Sequence, residues 1–328
     1  MSEPLRLGLL STARINDRIV AGAAATGGTV RVVAVASRDG ARAQAYAGTH
    51  GIPRAHAGYE ALLADDEVDA VYVSLPNGLH HEWSMAALRA GKHVLCEKPY
   101  SRRPADVAEA FALAAEARLV LMEAFMYRHH PQTRRVRQLV DDGAVGRVRL
   151  LRTAFSFPLR DPGNIRAQAD LEGGALMDVG CYCVSGARLL AGEPERVLGE
   201  AVRGPSGVDE SFHGTLRFPG DVVAQFDCSF ALPLRQELEV LGEDGVLHVA
   251  APWRTDWGGD VTLRREDKVE RLEMPAADAY GLELQNLADA AAGRAAPLLD
   301  RADALGQARA LEALFRSAET GRAVALES

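Results

Sequence analysis

The sequence predicts an α/β fold with an N-terminal doubly wound parallel sheet and a C-terminal α+β domain built on a large, mostly antiparallel open sheet. From residue 5 to about residue 121, short apolar runs alternate with longer alanine-rich helical patterns, as in βα units. Beyond residue 145, long stretches of alternating polar and apolar residues indicate antiparallel strands. We therefore expect two domains, residues 1–122 and residues 123–328, with the last helix able to pack back on the N-terminal domain.

The N-terminal sheet is predicted from five apolar runs, each followed by a helical pattern. The runs are Leu5–Leu10, Val30–Ala36, Ala70–Ser74, His93–Cys96 and Leu119–Met122. The helices between them are expected to begin near Ile15, Asp39, His80 and Arg103. Because crossover connections between parallel strands are almost always right-handed, this order predicts a doubly wound domain.

The C-terminal domain is predicted to combine long strands with two helices. The strands are Val148–Phe157, Glu210–Phe218, Val222–Phe230 and Glu237–Leu241. One helix, Ala175–Leu190, follows the pair Gly173 and Gly174, and a closing amphipathic helix covers Arg301–Ser317.

Composition and charge limit the kinds of partner that the protein can have. The 328 residues are 48% hydrophobic and 25% charged, the balance of a globular protein with ample core. The net charge is -8 and the arginines are scattered among acidic residues, which argues against a nucleic-acid partner. Within the first run, the uninterrupted apolar stretch Leu7–Leu10 is too short for a signal peptide or a membrane span. We expect a cytoplasmic protein with a small-molecule substrate and no membrane partner.

No metal site is expected from the cysteines and histidines. The four cysteines contain no Cys-x-x-Cys pair, so buried reduced thiols are predicted rather than a disulfide or a zinc site. The pairs His80-His81 and His129-His130 are adjacent residues, which point in different directions on a helix.

The turn after the first predicted strand is a candidate dinucleotide site of the Rossmann type. A strand, a tight turn and a helix place backbone N–H groups where a pyrophosphate can bind. Residues 11–16 read Ser-Thr-Ala-Arg-Ile-Asn where the usual fingerprint is Gly-x-Gly-x-x-Gly, so an ordinary strand-to-helix turn stays open as an alternative. The hydroxyl groups of Ser11 and Thr12 are expected to donate to phosphate. The candidate residues are Gly8, Ser11, Thr12, Ala13, Arg14 and Ile15.

The end of the second predicted strand indicates which dinucleotide is bound. An acidic residue here holds a free ribose 2′-hydroxyl, whereas an arginine suits a 2′-phosphate. The sequence reads Ser37-Arg38, with Arg42 one helical turn further on, so NADP(H) is preferred and NAD(H) stays open. The alternative is a solvated turn in which Asp39 caps the following helix.

Several separated motifs are shared with one known family. Residues 96–99 read Cys-Glu-Lys-Pro, and residues 173–182 read Gly-Gly-Ala-Leu-Met-Asp-Val-Gly-Cys-Tyr. Together they resemble the Gfo/Idh/MocA oxidoreductases, and segments 75–80, 123–128 and 164–166 extend the likeness over nearly the whole chain. Glu172 stands where many members begin a triple glycine. Tyr182 stands where many have histidine, which resembles the branch of dihydrodiol dehydrogenase, D-xylose 1-dehydrogenase and glucose–fructose oxidoreductase.

The resemblance implies roles for residues near the nicotinamide and the substrate. It places Glu97 near the nicotinamide ribose and Lys98 facing the substrate, with a cis peptide before Pro99. It places Asn164 and Arg166 on a loop that closes over the site, and leaves open whether Arg166 contacts cofactor or substrate. The residues that it implies for the nicotinamide half are Leu75, Pro76, Asn77 and His80.

The chemistry of hydride transfer suits three of these residues. Asp178 and Tyr182 are four residues apart on a predicted helix, which puts both side chains on one face. A phenol with a pKa of about 10 is a weak base, but an adjacent ammonium such as that of Lys98 favours the phenolate. We expect Tyr182 to act as general acid or base, Lys98 to assist it and Asp178 to orient a substrate hydroxyl. The alternative is that Tyr182 is a core residue and Asp178 a surface charge.

Three functions follow from the resemblance. The first is an NADP(H)-dependent oxidoreductase acting on CH–OH groups, an aldose dehydrogenase or a sugar ketoreductase. The second is a trans-dihydrodiol-type dehydrogenase acting on a cyclic diol. The third is a non-catalytic sensor that binds a dinucleotide without turning it over.

The predicted antiparallel sheet also suggests self-association. Apolar positions such as Val223, Phe226 and Val240 need not all fit one internal core, and an exposed apolar sheet face marks an interface. We therefore expect a homo-oligomer, a dimer or a tetramer, assembled through the C-terminal sheet.

Overall fold

The computed structural model describes residues 3–326, which divide into two compact units. The first unit runs to His129 and takes in Asp278–Leu305. The second unit comprises His130–Ala277 and continues from Gly306. Within the described range, no helix combines the length and apolar character that a membrane span requires.

The first unit is built on a six-stranded parallel sheet. Its strands are β1 (Leu5–Leu10), β2 (Val30–Ser37), β3 (Arg54–Ala57), β4 (Ala70–Val73), β5 (His93–Glu97) and β6 (Leu121–Ala124), and its order is β3-β2-β1-β4-β5-β6. The connecting helices are α1 (Asn16–Ala25), α2 (Gly40–His50), α3 (Tyr59–Leu63), α4 (His80–Arg89) and α5 (Pro104–Ala117). Since the strand order reverses between β1 and β4, the carboxyl ends of these strands are where such sheets bind ligands. The predicted doubly wound domain is confirmed.

The second unit is built on a nine-stranded, mostly antiparallel sheet, as predicted. Its strands are β7 (Val148–Ser156), β8 (Arg196–Arg203), β9 (Asp209–Arg217), β10 (Val223–Ser229), β11 (Arg235–Gly242), β12 (Val246–Val249), β13 (Val261–Arg265), β14 (Lys268–Leu272) and β15 (Val324–Ala325). The order is β14-β13-β12-β11-β7-β10-β9-β8-β15, and β10 pairs with β7 in parallel.

The described residues contain four further α-helices, two of which the sequence did not predict. They are α6 (Pro131–Asp141), α7 (Cys181–Ala191), α8 (Ala279–Ala291) and α9 (Arg301–Thr320). The predicted helix over Ala175–Leu190 is present, but its first part, Leu176–Gly180, is a turn of π-helix that leads directly into α7.

The two faces of the second sheet differ in polarity. Phe226 and Val240 are buried within the chain, at 4% and 0% exposure, so the expectation that they lie on an exposed apolar face is wrong. The opposite face is largely charged, with Arg235 paired to both Asp227 and Glu237. Alternation along each strand sends the large apolar residues to one side, and the core of the second unit already accommodates them.

Candidate active site

The loops at the carboxyl ends of β1 and β4 are joined by a pair of serines. Ser11 Oγ lies 2.8 Å from Ser74 Oγ and 3.0 Å from the Ser74 carbonyl oxygen. It also accepts the Ala13 amide N–H at 3.0 Å. The expectation that the Ser11 hydroxyl donates to phosphate is therefore corrected, because its proton is directed at Ser74. Ser11 takes the backbone conformation of a glycine, with φ of 141°, which is strained for a residue with a Cβ.

The rest of this turn leaves backbone donors open. Within residues 3–326, the amide N–H groups of Thr12, Arg14 and Ile15 have no hydrogen-bond partner, and α1 begins at Asn16 with no side-chain cap. The side-chain Nδ2 of Asn16 donates to the Ser11 carbonyl oxygen at 2.7 Å and holds the turn against the helix. Unpartnered N–H groups at a helix N-terminus attract anions, so the turn fits a pyrophosphate although it lacks the glycine fingerprint.

Gly8 makes room for a side chain of its own unit. It lies inside β1, and a Cβ at this position would be 2.8 Å from Leu62 Cδ2 and 3.1 Å from Val68 Cγ1. The absence of a side chain therefore lets α3 pack closely on the sheet.

The residues after β2 form a cationic cluster around a buried phenol. Asp39 caps α2, since its Oδ1 accepts the amide N–H groups of Ala41 and Arg42 at 2.9 and 3.3 Å. Burial raises the pKa of Tyr59, and the guanidinium groups of Arg38 and Arg42 oppose this shift. Asp39 is thus committed to a helix cap, while the positive charges of Arg38 and Arg42 both act on Tyr59.

Ser37 lies beneath this cluster at the very end of β2. It is 8% exposed, and its Oγ accepts the Asp39 amide N–H at 3.2 Å. Because the Ser37 hydroxyl oxygen is the acceptor in this bond, its own proton is not used there. The arrangement of Ser37 and the two arginines fits an anionic 2′-phosphate better than a free hydroxyl.

His80 connects the loops that follow β4 and β5. Its side chain is fully buried, its Nε2 lies 2.8 Å from the Leu75 carbonyl oxygen and its Nδ1 lies 2.9 Å from that of Pro99. Instead of lining the nicotinamide half, as the resemblance implied, His80 supports the two loops from within. Pro76 and Asn77 lie between these contacts and are half-buried at the sheet edge.

Glu97 and Lys98 lie where β5 ends. Glu97 accepts a short hydrogen bond from the Tyr72 hydroxyl and a 3.3 Å bond from the Lys98 amide N–H. Burial first, and then the charge of Glu97, raise the pKa of Tyr72 well above its ordinary value, so Tyr72 remains a hydrogen-bond donor. The Lys98–Pro99 peptide is cis, as predicted, and the Lys98 side chain is half-buried.

In the second unit, Asn164, Arg166 and Asp178 form one hydrogen-bonded group. Asn164 Oδ1 accepts the Arg166 amide N–H at 3.1 Å, and Arg166 Nε donates to Asp178 Oδ2 at 2.6 Å. The Arg166 guanidinium also lies over the Phe157 ring, 5.9 Å from its centroid. Arg166 therefore has Asp178 as its partner within the unit. Its guanidinium neutralises the charge of the Asp178 carboxylate in the first turn of the helix.

Tyr182 lies in the first turn of α7 among aromatic side chains. Its ring is 7% exposed, meets Phe155 edge-on at 5.6 Å between centroids, and lies 6.2 Å from Trp253. Trp253 is itself fixed by a 3.0 Å hydrogen bond from its Nε1 to the Ala154 carbonyl oxygen. These neighbours restrict the ring, so the position of the phenolic oxygen is set by packing.

Sequence reasoning missed the residues that support this site from distant parts of the chain. They are Tyr59, Tyr72, Ser74, Phe155, Asp209 and Trp253. Tyr72 is one apolar residue among several in a buried strand, and Trp253 sits in a loop without periodicity, so neither carried a signal. Asp209, whose carboxylate accepts the Leu176 amide N–H, offered one clue, because it is an acid at the start of an alternating strand.

The site and the fold together define a dinucleotide-binding oxidoreductase. Residues 8–125 match the family described as an oxidoreductase family with a NAD-binding Rossmann fold, and residues 133–248 match the GFO/IDH/MocA C-terminal domain. The chain belongs to the Gfo/Idh/MocA oxidoreductase family.

Relatives in this family act on sugars and on a cyclic diol. The chain is 40% identical to D-xylose 1-dehydrogenase (NADP(+)) 2 of Haloferax volcanii over 98% of this chain and 100% of that protein. It is 34% identical to trans-1,2-dihydrobenzene-1,2-diol dehydrogenase of Xenopus laevis over 74% of this chain and 74% of that protein. A solved 3-ketoreductase from Actinomadura kijaniata, in complex with NADP and TDP-benzene, superposes with a TM-score of 0.91 and 34% identity. That match covers 96% of this chain and 98% of the ketoreductase.

Proposed function

We propose that the protein is an NADP(H)-dependent oxidoreductase that transfers a hydride between nicotinamide and a hydroxyl or carbonyl group of a sugar or sugar-like molecule. The observation that carries this proposal is in the second unit, where Tyr182, packed by aromatic rings, lies four residues after Asp178 on one continuous helix, and Asp178 is paired with Arg166 of the preceding loop. A restrained phenol beside hydrogen-bonding groups for hydroxyls suits a polyhydroxylated substrate.

The choice of NADP(H) is supported by the end of β2. Asp39 is occupied with the cap of α2, and Arg38 and Arg42 lie beside the same phenol, Tyr59. The Haloferax volcanii relative carries NADP(+) in its name, and the Actinomadura kijaniata ketoreductase was solved with NADP. The amides of Thr12, Arg14 and Ile15 would hold the pyrophosphate, and Glu97 the nicotinamide ribose.

When bound at this site, NADP(H) would supply or accept the hydride. Tyr182 donates a proton to the carbonyl oxygen in reduction and removes the hydroxyl proton in oxidation. Lys98 polarises that oxygen and favours the ionised phenol in the oxidative direction. Asp178 orients a neighbouring hydroxyl, with Arg166 keeping its carboxylate fixed, and Asn164 holds the loop that carries Arg166.

The roles of Lys98 and Tyr182 have support from the ketoreductase. Solved variants of that enzyme change one tyrosine to phenylalanine and one lysine to alanine or glutamate. The two changed positions are as far apart along that chain as Lys98 and Tyr182 are along this one. A lysine and a tyrosine at the same spacing in a relative solved with NADP support the assignment of Lys98 and Tyr182 as a pair.

A second candidate is a trans-dihydrodiol-type dehydrogenase. It is favoured by the 34% identity with the Xenopus laevis enzyme over 74% of each chain.

The test is turnover of aldoses, keto sugars and trans-cyclic diols with NADP(H) and with NAD(H), followed by nicotinamide absorbance. We expect turnover of at least one sugar with NADP(H). Turnover of diols alone would support the second candidate, and tight dinucleotide binding without any turnover would support a sensor.

We also propose that the protein functions as a cytoplasmic homo-oligomer that uses the open face of the second sheet. The support is that Leu198 and Val202, which flank Glu200 on the same face of β8, are apolar exceptions on this largely charged face and are 47% and 53% exposed. A monomeric mass in light scattering at micromolar concentration would contradict the assembly.

A further inference from the structure

The helix that carries Asp178 and Tyr182 is anchored at its start by an acid from another element. Asp209, the first residue of β9, is 3% exposed, and its Oδ2 accepts the Leu176 amide N–H at 2.7 Å. Its Oδ1 fills the space beside Gly174, where a Cβ would lie 2.2 Å from that oxygen. A buried carboxylate thus satisfies the N-terminal donors that this helix cannot satisfy itself.

Gly174 transmits this contact to the proposed substrate-binding pair. The Gly174 amide N–H donates to the Arg166 carbonyl oxygen at 2.9 Å, and the Gly174 carbonyl oxygen accepts the Asp178 amide N–H at 3.1 Å. The φ of Gly174 is +118°, a conformation that residues with side chains rarely adopt. One carboxylate therefore holds the backbone positions on which both Arg166 and Asp178 depend.

We propose that Asp209 is a positioning residue that fixes the Arg166–Asp178 pair and the start of the Tyr182 helix through the Leu176 amide and Gly174. It acts through the backbone and does not touch the reacting atoms. The proposal deepens the proposed function, on which the effect on turnover rests, whereas the effect on the helix start does not.

The charge state of Asp209 gives this anchor a pH dependence. Burial raises the pKa of Asp209 to about 6, against the opposing influence of the Leu176, Asp209 and Ala175 amides and of Arg203. The titratable groups that face it are Arg203 of β8 and Cys228 of β10. Above about pH 6 the ionised carboxylate holds the helix start, and below it the neutral acid holds it more weakly.

The same titration affects stability in the opposite direction. Because the folded-state pKa of about 6 is above the ordinary value of 3.8, the folded protein binds more protons than the unfolded chain between these values. The free energy of unfolding therefore falls as the pH rises through this window. Turnover, by contrast, is expected to rise with pH through this window. If Asp209 had a merely structural role, turnover and the free energy of unfolding would not change in opposite directions.

The first experiment is amide hydrogen exchange by mass spectrometry on the peptide covering residues 173–182, corrected for the intrinsic pH dependence of exchange. Asp209→Ala should speed exchange in this peptide at pH 7.5 by about tenfold or more, since the Leu176 amide loses its charged acceptor. Asp209→Asn, which keeps the shape and an acceptor oxygen, should show exchange that no longer changes between pH 5 and 7. Unaltered exchange in both variants would overturn the proposal.

The second experiment is turnover against pH with the substrate that the panel identifies. Asp209→Asn should lower turnover at pH 7.5 by roughly tenfold to a hundredfold, because a misplacement of about 1 Å costs up to about that much, and should leave the dinucleotide affinity unchanged. The fall in turnover below about pH 6, which we expect for the wild-type protein, should be absent from the pH profile of this variant. A variant that keeps the wild-type limb would overturn the proposal.

Two control variants separate positioning from general damage. Asp278→Asn alters an Asp that caps α8 through the Gly281 amide at 2.9 Å, and should change neither the exchange of residues 173–182 nor the pH profile.

Gly174→Ala should reproduce the effects of Asp209→Ala by a clash. Gly192→Ala, which has a φ of +84° but no atom within 4 Å, should not. If Gly192→Ala were equally damaging, backbone strain and not Asp209 would explain the result. Failure of the proposed function would show as absent turnover with the exchange effects intact.

Discussion

The two loops that the proposed function uses treat their polar groups in opposite ways. In the first unit, the turn at Ser11–Asn16 leaves the amides of Thr12, Arg14 and Ile15 without partners among the described residues. In the second unit, the loop that begins at Asn164 is closed by internal bonds. Asn164 accepts the Arg166 amide N–H, the Arg166 guanidinium donates to Asp178, and the Gly174 amide donates to the Arg166 carbonyl oxygen.

This difference teaches what each loop is built to do. Open backbone donors bind an anion that arrives from solution, while mutually bonded side chains hold a fixed geometry in the absence of a ligand. Variants in the first unit should therefore change cofactor affinity, and variants in the second unit should change turnover.

The largest effect is expected at Tyr182, which directly tests whether variants in the second unit change turnover and not cofactor affinity. Tyr182→Phe removes one oxygen and keeps the ring packing, so turnover should fall by roughly 10² to 10⁴ while NADPH affinity is retained. Tyr46→Phe, which removes a phenolic oxygen bonded to Asp17, is the matched control and should leave turnover unchanged.

Lys98 is the first-unit residue for which we expect an exception, because its substitution should change turnover and not only cofactor affinity. Lys98→Met should lower turnover as much as Tyr182→Phe, and the double variant should be little worse than either, because residues that act as a unit are not additive. Steady-state turnover and NADPH titration of the three variants measure this. Near-normal turnover of Tyr182→Phe would remove Tyr182 from the mechanism.

The next effect concerns the stability of the first unit. His80→Phe leaves the buried carbonyl groups of Leu75 and Pro99 without His80, so the free energy of unfolding should fall by about 2–4 kcal/mol in urea titrations. His81→Phe alters the neighbouring, half-buried histidine and should cost less than about 1 kcal/mol. Equal losses would show that the contacts of His80 contribute little.

A smaller effect is expected for cofactor choice. Arg38→Ala would remove the charged hydrogen bond that we propose to the 2′-phosphate, so NADPH affinity should fall about tenfold to a hundredfold and NADH affinity very little. Arg31→Ala alters an exposed arginine near the opposite end of the same strand and should affect neither. Fluorescence titration with both cofactors decides between these outcomes, and equal losses would place Arg38 away from the 2′-phosphate.

The smallest effect is expected at Ser11, where two contributions oppose each other. Ser11→Gly loses the bonds to Ser74 and Ala13 but relieves backbone strain of about 1–3 kcal/mol, so the free energy of unfolding should change by less than about 1 kcal/mol. Ser11→Ala loses the bonds and keeps the strain, and should be the less stable variant. A glycine variant less stable than the alanine variant would mean that the strain is not real.

Sequence reasoning was most reliable where one local pattern determined the structure. β1 spans Leu5–Leu10 as predicted, and α2 and α5 begin within one residue of the predicted Asp39 and Arg103. It missed β3, Arg54–Ala57, which has no apolar run, and β14, Lys268–Leu272, where charged residues fill an edge strand. Strand pairing gives such segments their structure, and pairing depends on distant residues.

The same limit applies to the candidate site. The Glu97 and Lys98 segment and the Asp178 and Tyr182 segment were found because each is a contiguous motif. The burial of His80 and the anchor at Asp209 arise because the fold brings loops together from separate parts of the chain. The polarity of the second sheet was misjudged at Phe226 for the same reason, since its cover comes from elsewhere in the unit.

The π-helical turn at Leu176–Gly180 has a consequence for anyone who wishes to engineer this protein. A π turn closes its hydrogen bonds from i to i+5, so the segment behaves as an α-helix that contains one surplus residue. Deleting that residue would regularise the helix and improve its local backbone hydrogen bonds. It would also rotate every following side chain by about 100°, the turn per residue of an α-helix, and carry Tyr182 away from Phe155 and Trp253. An idealised version of this helix would therefore be more regular but would no longer hold Tyr182 in its aromatic packing.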